Sequence, residues 1–142
     1  MISPEEKFIM SAATLTVSLP KGVADVLHRK AEEKGVTIRS ILRASIALIL
    51  REIEGLTDEE RRKRVVYLSD DITIHKFKGG KGHYPASTKV THDAYVHIDS
   101  LCNSLMVTRS TLMRAGIALF LQRDPNADEI RELERGLKGV GK

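Results

Sequence analysis

The chain repeats one apolar pattern at a constant spacing. Residues 36–50 (VTIRSILRASIALIL) align without a gap on residues 107–121 (VTRSTLMRAGIALFL), 71 positions later, and 8 of the 15 pairs are identical. The same offset matches Leu19 with Val90. Similarity at a fixed offset indicates a fold that is built from two like units. A chain of 142 residues is therefore expected to form its core from both copies.

The first copy begins with a stretch of alternating polarity. Residues 14–19 (TLTVSL) place polar and apolar side chains in turn, which is the period of a half-buried strand. Pro20 is expected to end this strand, because proline has no amide proton to donate to a neighbour. The predicted inner face carries Leu15, Val17 and Leu19, and the predicted outer face carries Thr14, Thr16 and Ser18.

Two helices are predicted to follow this strand. The first runs from about Lys21 to Lys34, with Gly35 as its stop. Thr37 is a good N-cap for the second, which is predicted to continue to about Glu54. Residues 44–50 of this second helix are apolar on nearly every side, so more than one neighbour has to cover it. The second copy is the obvious partner.

The second copy has a less regular strand, predicted over residues 87–90 (STKV). Thr91 is expected to cap the helix that follows, and Thr108 the final long helix, which ends near Arg123. Ser87 and Lys89 are placed on the outer face of the strand, and Thr88 and Val90 on its inner face.

These features together resemble the ribbon-helix-helix family of DNA-binding proteins, the MetJ/Arc-like fold. Each copy has a short alternating strand, and the first has SLPK at the start of one helix, GVT between the helices and an arginine at the start of the next. The resemblance covers roughly residues 14–54 and 87–123. It implies a mainly α fold in which two units pair their strands into an antiparallel ribbon above a helical core. That ribbon enters the major groove, which is wide enough for two strands.

The resemblance also implies residue roles. Outward strand residues read base edges, and the N-terminus of each second helix holds a backbone phosphate through its free amides. The base-reading residues by this correspondence are Thr14, Thr16, Ser18, Ser87 and Lys89. The phosphate-binding residues are Thr37, Ile38 and Arg39 in the first copy and Thr108, Arg109 and Ser110 in the second.

The second strand departs from the family pattern in two places. Thr88 stands where an inward apolar residue is expected, and Pro85, which cannot donate a ladder bond, matches Thr14 of the first copy. We therefore expect a short or register-shifted second strand and a DNA site that is not a simple palindrome. Pairing of the strands within one chain or between two chains stays open, because the intervening ~30 residues can span ~100 Å.

The segment between the copies has its own signals. Thr57 and Glu60 form a capping box that predicts a helix from Asp58 to about Val66, and residues 72–74 (ITI) have the composition of a strand. Residues 76–83 (KFKGGKGH) form a predicted basic loop. Lys78 and Lys81 of this loop are expected either to reach DNA phosphates or to belong to a solvated linker.

The two ends are predicted to add short helices, one near Pro4 and one over about residues 127–136. The predicted organisation is an N-terminal extension (1–12), a first unit (13–55), a linker with a short helix and the basic loop (56–84), a second unit (85–123) and a C-terminal helix and tail (124–142).

Composition is consistent with a cytoplasmic protein, in the host cytoplasm if the gene is viral. The single cysteine, Cys102, excludes an intrachain disulfide. The longest apolar run, residues 44–50, is too short for a membrane span, and the N-terminus lacks the pattern of a secretory signal. The net charge of +4 suits a polyanionic partner without identifying one.

No motif points to catalysis or to a cofactor. The chain has no phosphate-binding glycine loop, nucleophile motif or paired carboxylates in an apolar setting. Some ribbon-helix-helix regulators bind nickel, but the spacing of the five histidines and Cys102 matches no nickel or zinc pattern. We expect neither an enzyme nor a metal site. The histidines are His28, His75, His83, His92 and His97.

The sequence therefore predicts a sequence-specific, double-stranded-DNA-binding transcriptional regulator, more specifically a repressor, with homo-oligomerisation left open. The layout of two units in one chain also resembles regulators of archaeal viruses and plasmids. Two alternatives remain open: an antitoxin that binds a toxin protein and regulates its own operon, and an accessory protein of plasmid DNA processing.

Overall fold

The structure, a computed structural model, describes residues 12–74 and 82–141, without the side chains of residues 73 and 74. It is mainly helical with one two-stranded antiparallel sheet, as predicted. In chain order the elements are β1 (Ala12–Pro20), α1 (Lys21–Lys34), α2 (Ile38–Glu52), α3 (Asp58–Ile74), β2 (His83–Thr91), α4 (His92–Leu105), α5 (Arg109–Arg123) and α6 (Ala127–Lys138).

The two strands pair with each other inside one chain, which answers the question that the sequence left open. β1 and β2 form an antiparallel ribbon in which Thr16 lies opposite Ser87. These two residues are 71 positions apart, the offset that also aligns the helices. A residue of one copy can lie directly opposite the equivalent residue of the other copy only where a twofold axis relates the two copies. The ribbon is therefore centred on an approximate twofold axis between the two copies.

The ribbon turns its apolar side toward the helices, as the alternation in β1 predicted. Leu15, Val17 and Leu19 are at most 1% exposed. Thr88 is also buried, and its hydroxyl donates to the backbone oxygen of Arg39 and accepts from Nη1 of Arg43, both at 3.1 Å. Burying an unpaired hydroxyl costs free energy, but this hydroxyl has two hydrogen-bond partners. A polar residue therefore fits this inner position.

The helices α2 and α5 pack against each other at the centre of the core. A Cβ atom built on Gly116 of α5 would lie 2.3 Å from the backbone oxygen of Ser45 in α2. Ser45 and Gly116 are again 71 residues apart, so they occupy equivalent positions on the same axis. The close approach of the two backbones explains why the second copy has glycine where the first has serine.

Each copy also includes a third helix, which the sequence analysis assigned to the linker and to the C-terminal extension. α3 packs on α5 of the second copy, and α6 packs on α2 of the first. Both begin with a capping box, Thr57 with Glu60 and Asn126 with Glu129. The core therefore lies between the ribbon, the central pair α2 and α5, the helices α1 and α4, and two outer helices, α3 and α6, that pack on the opposite copy.

The prediction of a strand at residues 72–74 was wrong, and so was the end of the preceding helix at Val66. α3 continues to Ile74 because Val65, Leu68 and Ile72 follow helical spacing and are buried. The helix is 17 residues long, so it is not the short element expected in the linker.

The second strand is longer than predicted, and its register is not shifted. β2 starts at His83 rather than at Ser87, so the predicted basic loop of residues 76–83 ends earlier than expected. The oxygen of Gly82 accepts a hydrogen bond from the amide of Lys21 at 3.3 Å, which ties this end of the ribbon to α1. Pro85 lies opposite Ser18 without ending the strand.

Other boundaries differ by about one turn or less. α2 ends at Glu52 rather than near Glu54, and Gly55 takes a positive φ of 82° in the following turn. α6 reaches Lys138 rather than Gly136. The N-terminal helix predicted near Pro4 lies outside the described residues, as do Lys78 and Lys81.

Candidate nucleic-acid interface

The outer face of the ribbon is a row of exposed side chains. At its centre the hydroxyls of Thr16 and Ser87 are 2.9 Å apart and share a hydrogen bond. Hydroxyls can donate and accept, so this pair can reorient toward another polar partner. The exposed outward residues are Thr14, Thr16 and Ser18 on β1 and Pro85, Ser87 and Lys89 on β2. They include all five residues predicted to read bases.

The two ends of this face differ in charge. Lys89 lies opposite Thr14, whereas Ser18 lies opposite Pro85 at the other end. Within residues 12–74 and 82–141, the ammonium group of Lys89 has no carboxylate partner. The face therefore presents one cation at one end and none at the equivalent place at the other end.

The N-terminus of α2 lies beside the ribbon: the backbone oxygen of Arg39 accepts a hydrogen bond from the hydroxyl of Thr88 in β2. Thr37 caps this helix as predicted, and its Oγ1 accepts from the amide of Ser40 at 3.1 Å. The amides of Ile38 and Arg39 belong to the first turn, which has no intrahelical acceptors. The Arg39 side chain is exposed and, among the described residues, forms no ion pair.

The N-terminus of α5 has the same cap but a different charge. Oγ1 of Thr108 accepts from the amide of Thr111 at 3.1 Å. The guanidinium of Arg109 binds Oδ1 of Asp99 at 2.7 Å and lies 5.2 Å from the centre of the Tyr95 ring. Arg109 was predicted as a phosphate contact, and the structure places it in an ion pair within the chain.

This second helix start also borders the ribbon. Thr16 of β1 lines an open groove together with Thr108, Arg109 and Ser110 of α5 and with Asp99 of α4. The structure thus places the start of α5 beside β1 and the start of α2 beside β2.

Asp99 is a residue of this surface that sequence reasoning missed. At the offset of 71, the first copy has His28 in its place. The first helix start therefore has an unpaired arginine and no equivalent carboxylate, whereas the second has its arginine held by one. The spacing of ten residues between Asp99 and Arg109 is not a helical contact, so only the turn between α4 and α5 brings them together.

Cys102 also lines the groove at the start of α5. Burial, and then the charge of Asp99, raises the pKa of the Cys102 thiol to about 11, so the thiol stays protonated near neutral pH. In the part of the chain that the structure describes, no group of three or more His, Cys, Asp and Glu side chains is placed to hold a metal ion.

The chain was also compared with known proteins. It matches no protein-family model, no curated protein and no solved structure. No individual helix among the described residues has the length and apolar composition needed to cross a membrane; α4 and α5 reach it only together, across a bend of 101°.

Proposed function

We propose that this chain binds double-stranded DNA as an intramolecular pair of ribbon-helix-helix units and acts as a sequence-specific transcriptional regulator, most simply a repressor that occludes a promoter. The observation that carries the proposal is the exposed outer face of the ribbon with a capped helix start beside each strand. No homologue supports it, so it rests on geometry and on the resemblance in sequence.

The dimensions of B-DNA suit this surface. The major groove is about 12 Å wide and admits a two-stranded ribbon. The hydroxyls of Thr14, Thr16 and Ser18 and the ammonium group of Lys89 would then face base edges. Arg39 and the free amides at the start of α2 would meet a phosphate beside the groove, since a helix N-terminus favours an anion.

A single chain is expected to form one complete reading surface. Both strands of the ribbon come from the same chain, so no second chain is needed to complete it. Because Pro85 and Lys89 of β2 stand where Thr14 and Ser18 stand in β1 under the twofold relation, the two halves offer different chemical groups. We therefore expect the preferred DNA site to be non-palindromic.

The antitoxin alternative gains no support from the geometry. It needs a segment that extends to cover a toxin, and residues 127–138 form a packed helix instead. Ile130, Leu133 and Leu137 of that helix are at most 5% exposed against the core. A role in plasmid DNA processing would use the same DNA-binding surface and differs only in what the complex does next.

The proposal is tested by titrating DNA duplexes from the region upstream of the chain's own gene in a gel-shift assay, against random duplexes of equal length. We expect a preferred duplex at moderate salt. Arg39→Ala is expected to weaken binding to all duplexes alike, because a phosphate contact carries no sequence information. Thr16→Ala and Lys89→Ala are expected to reduce the preference, each by about 1–3 kcal/mol.

Arg135→Ala is the matched control, because Arg135 is an exposed arginine on α6. It removes the same charge from an outer helix and should leave binding within the error of the assay. Equal losses for Arg39→Ala and Arg135→Ala would indicate attraction by net charge alone and would contradict the proposed site. Absence of any preference over random DNA would contradict sequence-specific regulation.

A further inference from the structure

A concave cavity lies on the flank of the helical core, away from the residues assigned to DNA. Its volume is about 440 Å³, within the usual range for small-molecule sites of about 300–1,000 Å³. Its walls come from the end of α2, the middle of α4 and the end of α6. The apolar part of the lining consists of Ala47, Leu50, Ile53, Leu101, Leu137 and Val140.

The cavity exists because the two copies differ at this place. On the twofold-related side, Lys30 and Lys34 of α1 reach across to Asp124 at 3.0 and 2.9 Å. At the offset of 71, Leu101 replaces Lys30, and Ile53 replaces Asp124. Leu101 is shorter than Lys30, and neither Leu101 nor Ile53 can form an ion pair, so the bridge of the other side is missing and the surface here is apolar.

The rim of the cavity carries two arginines, Arg51 and Arg61, against one carboxylate, Glu54. Arg61 is anchored, because its Nε donates to the backbone oxygen of Ile53 at 3.0 Å. Arg51 has no ion-pair partner within the described ranges, and its guanidinium is therefore available to a ligand.

Two glycines shape the wall beside this rim. A Cβ atom on Gly136 would lie 3.0 Å from Nη2 of Arg51, so glycine lets the guanidinium lie against α6. Gly141 has a φ of +83°, and a Cβ atom there would be 2.5 Å from the backbone oxygen of Asp93. Gly141, which lines the cavity, thus lies against the start of α4.

We propose that this cavity binds a small amphipathic anion, with an aliphatic chain among the apolar side chains and an anionic head at Arg51. Apolar burial supplies most of the affinity, and a charge-assisted hydrogen bond to the guanidinium supplies selectivity for an anion over a cation. The site goes beyond the proposed DNA binding and does not depend on it.

The test is a calorimetric titration of the full chain with octanoate, with octylammonium and 1-octanol as probes of equal chain length. Octanoate is expected to bind and to raise the melting temperature. 1-Octanol is expected to bind more weakly than octanoate, and octylammonium more weakly than 1-octanol. No binding of octanoate, or equal binding of octanoate and octylammonium, would overturn the proposal.

Arg51→Gln is expected to weaken octanoate binding about tenfold, which corresponds to one charge-assisted hydrogen bond. Gln122→Ala is the control, because Gln122 is the twofold equivalent of Arg51 and should leave the affinity unchanged. Leu101→Phe fills the cavity at a half-buried position and should abolish binding while circular dichroism stays unchanged. Unchanged octanoate affinity in Arg51→Gln would contradict the assigned head-group site, even if Leu101→Phe failed to fold.

Discussion

Thr16 and Ser87 face each other at the centre of the ribbon, with their hydroxyl oxygens 2.9 Å apart and 71 residues between them. The same separation joins Ser45 to Gly116 in the central helix pair and Glu52 to Arg123 at its end. A ribbon slipped by one residue would break this coincidence and turn the apolar face of the slipped strand outward. The offset of the repeat in the sequence and the register of the paired strands are therefore the same number of residues.

Gly116→Ala is expected to destabilise the fold strongly, by at least about 2 kcal/mol, because overpacking against a fixed backbone forces the helices apart. The new Cβ atom would lie 2.3 Å from the backbone oxygen of Ser45. Urea denaturation followed by circular dichroism measures the change in the free energy of unfolding.

Gly139→Ala is the control for this substitution. Gly139 follows α6, has a negative φ of −84°, and a Cβ atom there would be 3.6 Å from the nearest atom, the backbone oxygen of Gly136. Its effect should stay within about 0.5 kcal/mol, as for other surface substitutions. A Gly116→Ala protein as stable as Gly139→Ala would show that the two central helices do not approach as described.

Met106→Gly is expected to stabilise the protein by about 0.5–1 kcal/mol. Met106 ends α4 in the left-handed conformation with φ of 57°, which is unfavourable for a residue with a side chain by about 1–2 kcal/mol. The larger freedom of glycine in the unfolded chain offsets part of that gain. The side chain is 82% exposed, so its removal loses little packing.

The twofold equivalent of Met106 is Gly35, which ends α1 with φ of 66°. Gly35→Ala should therefore have the opposite effect and destabilise by about 1 kcal/mol. Thermal unfolding of both variants provides the comparison. Destabilisation by Met106→Gly would contradict this prediction and would mean that the methionine side chain stabilises the fold by more than its backbone strain costs.

Glu52→Gln is expected to destabilise the protein near neutral pH and to matter less in acid. Burial acts to raise the pKa of Glu52, but the hydrogen bonds and charges of Arg123 and Arg64 outweigh it and lower the pKa below its usual value. A carboxylate with a depressed pKa stabilises the fold above its unfolded pKa of about 4.3 and loses this contribution as the pH falls through its folded pKa.

Urea denaturation near pH 7 and near pH 3 measures this dependence. Glu132→Gln is the matched control, since Glu132 is exposed on α6 and forms no ion pair among the described residues. It should differ from the parent protein by the same small amount at both pH values. A Glu52→Gln effect that does not shrink in acid would contradict the ion-pair assignment.

Asp99→Asn is expected to strengthen DNA binding, because it releases Arg109 from its ion pair at the start of α5. A freed arginine that neutralises one more phosphate should increase the slope of log affinity against log salt by about 0.9. Fluorescence anisotropy of one duplex over a salt series measures both the affinity and the slope.

Glu132→Gln makes the same charge change on α6 and controls for any effect of net charge. Arg109→Ala should weaken binding more in the Asp99→Asn background than in the parent protein. If Asp99→Asn and Glu132→Gln strengthen binding equally, the start of α5 is not a phosphate contact.

Local patterns predicted much of this fold. The alternation in residues 14–19 placed these six side chains of β1 on their observed faces, and Thr37, Thr91 and Thr108 cap the helices that follow them. These features depend on neighbours within a few residues, so a single sequence contains them. The register of the ribbon also has the offset of 71, because the strands of two equivalent copies pair symmetrically only when equivalent residues lie opposite each other.

Contacts between distant segments were not predictable in the same way. α3 and α6 share capping boxes but little sequence, so the repeat is not visible in them. Their packing on the opposite copy depends on the whole core. The ion pair of Asp99 with Arg109 and the hydrogen bond that Arg43 donates to Thr88 likewise join residues with no periodic relation. Sequence reasoning therefore identified the difference between the two strands but missed the carboxylate of Asp99 at the start of α5.

The most direct test of the account is selection of bound duplexes from a pool of random sequence, followed by sequencing of the bound fraction. The account predicts enrichment of one non-palindromic motif by the parent protein, and loss of preference at particular positions of that motif for Thr16→Ala and Lys89→Ala. A bound fraction with the same sequence composition as the input pool would contradict the claim that the outer face of this ribbon reads DNA.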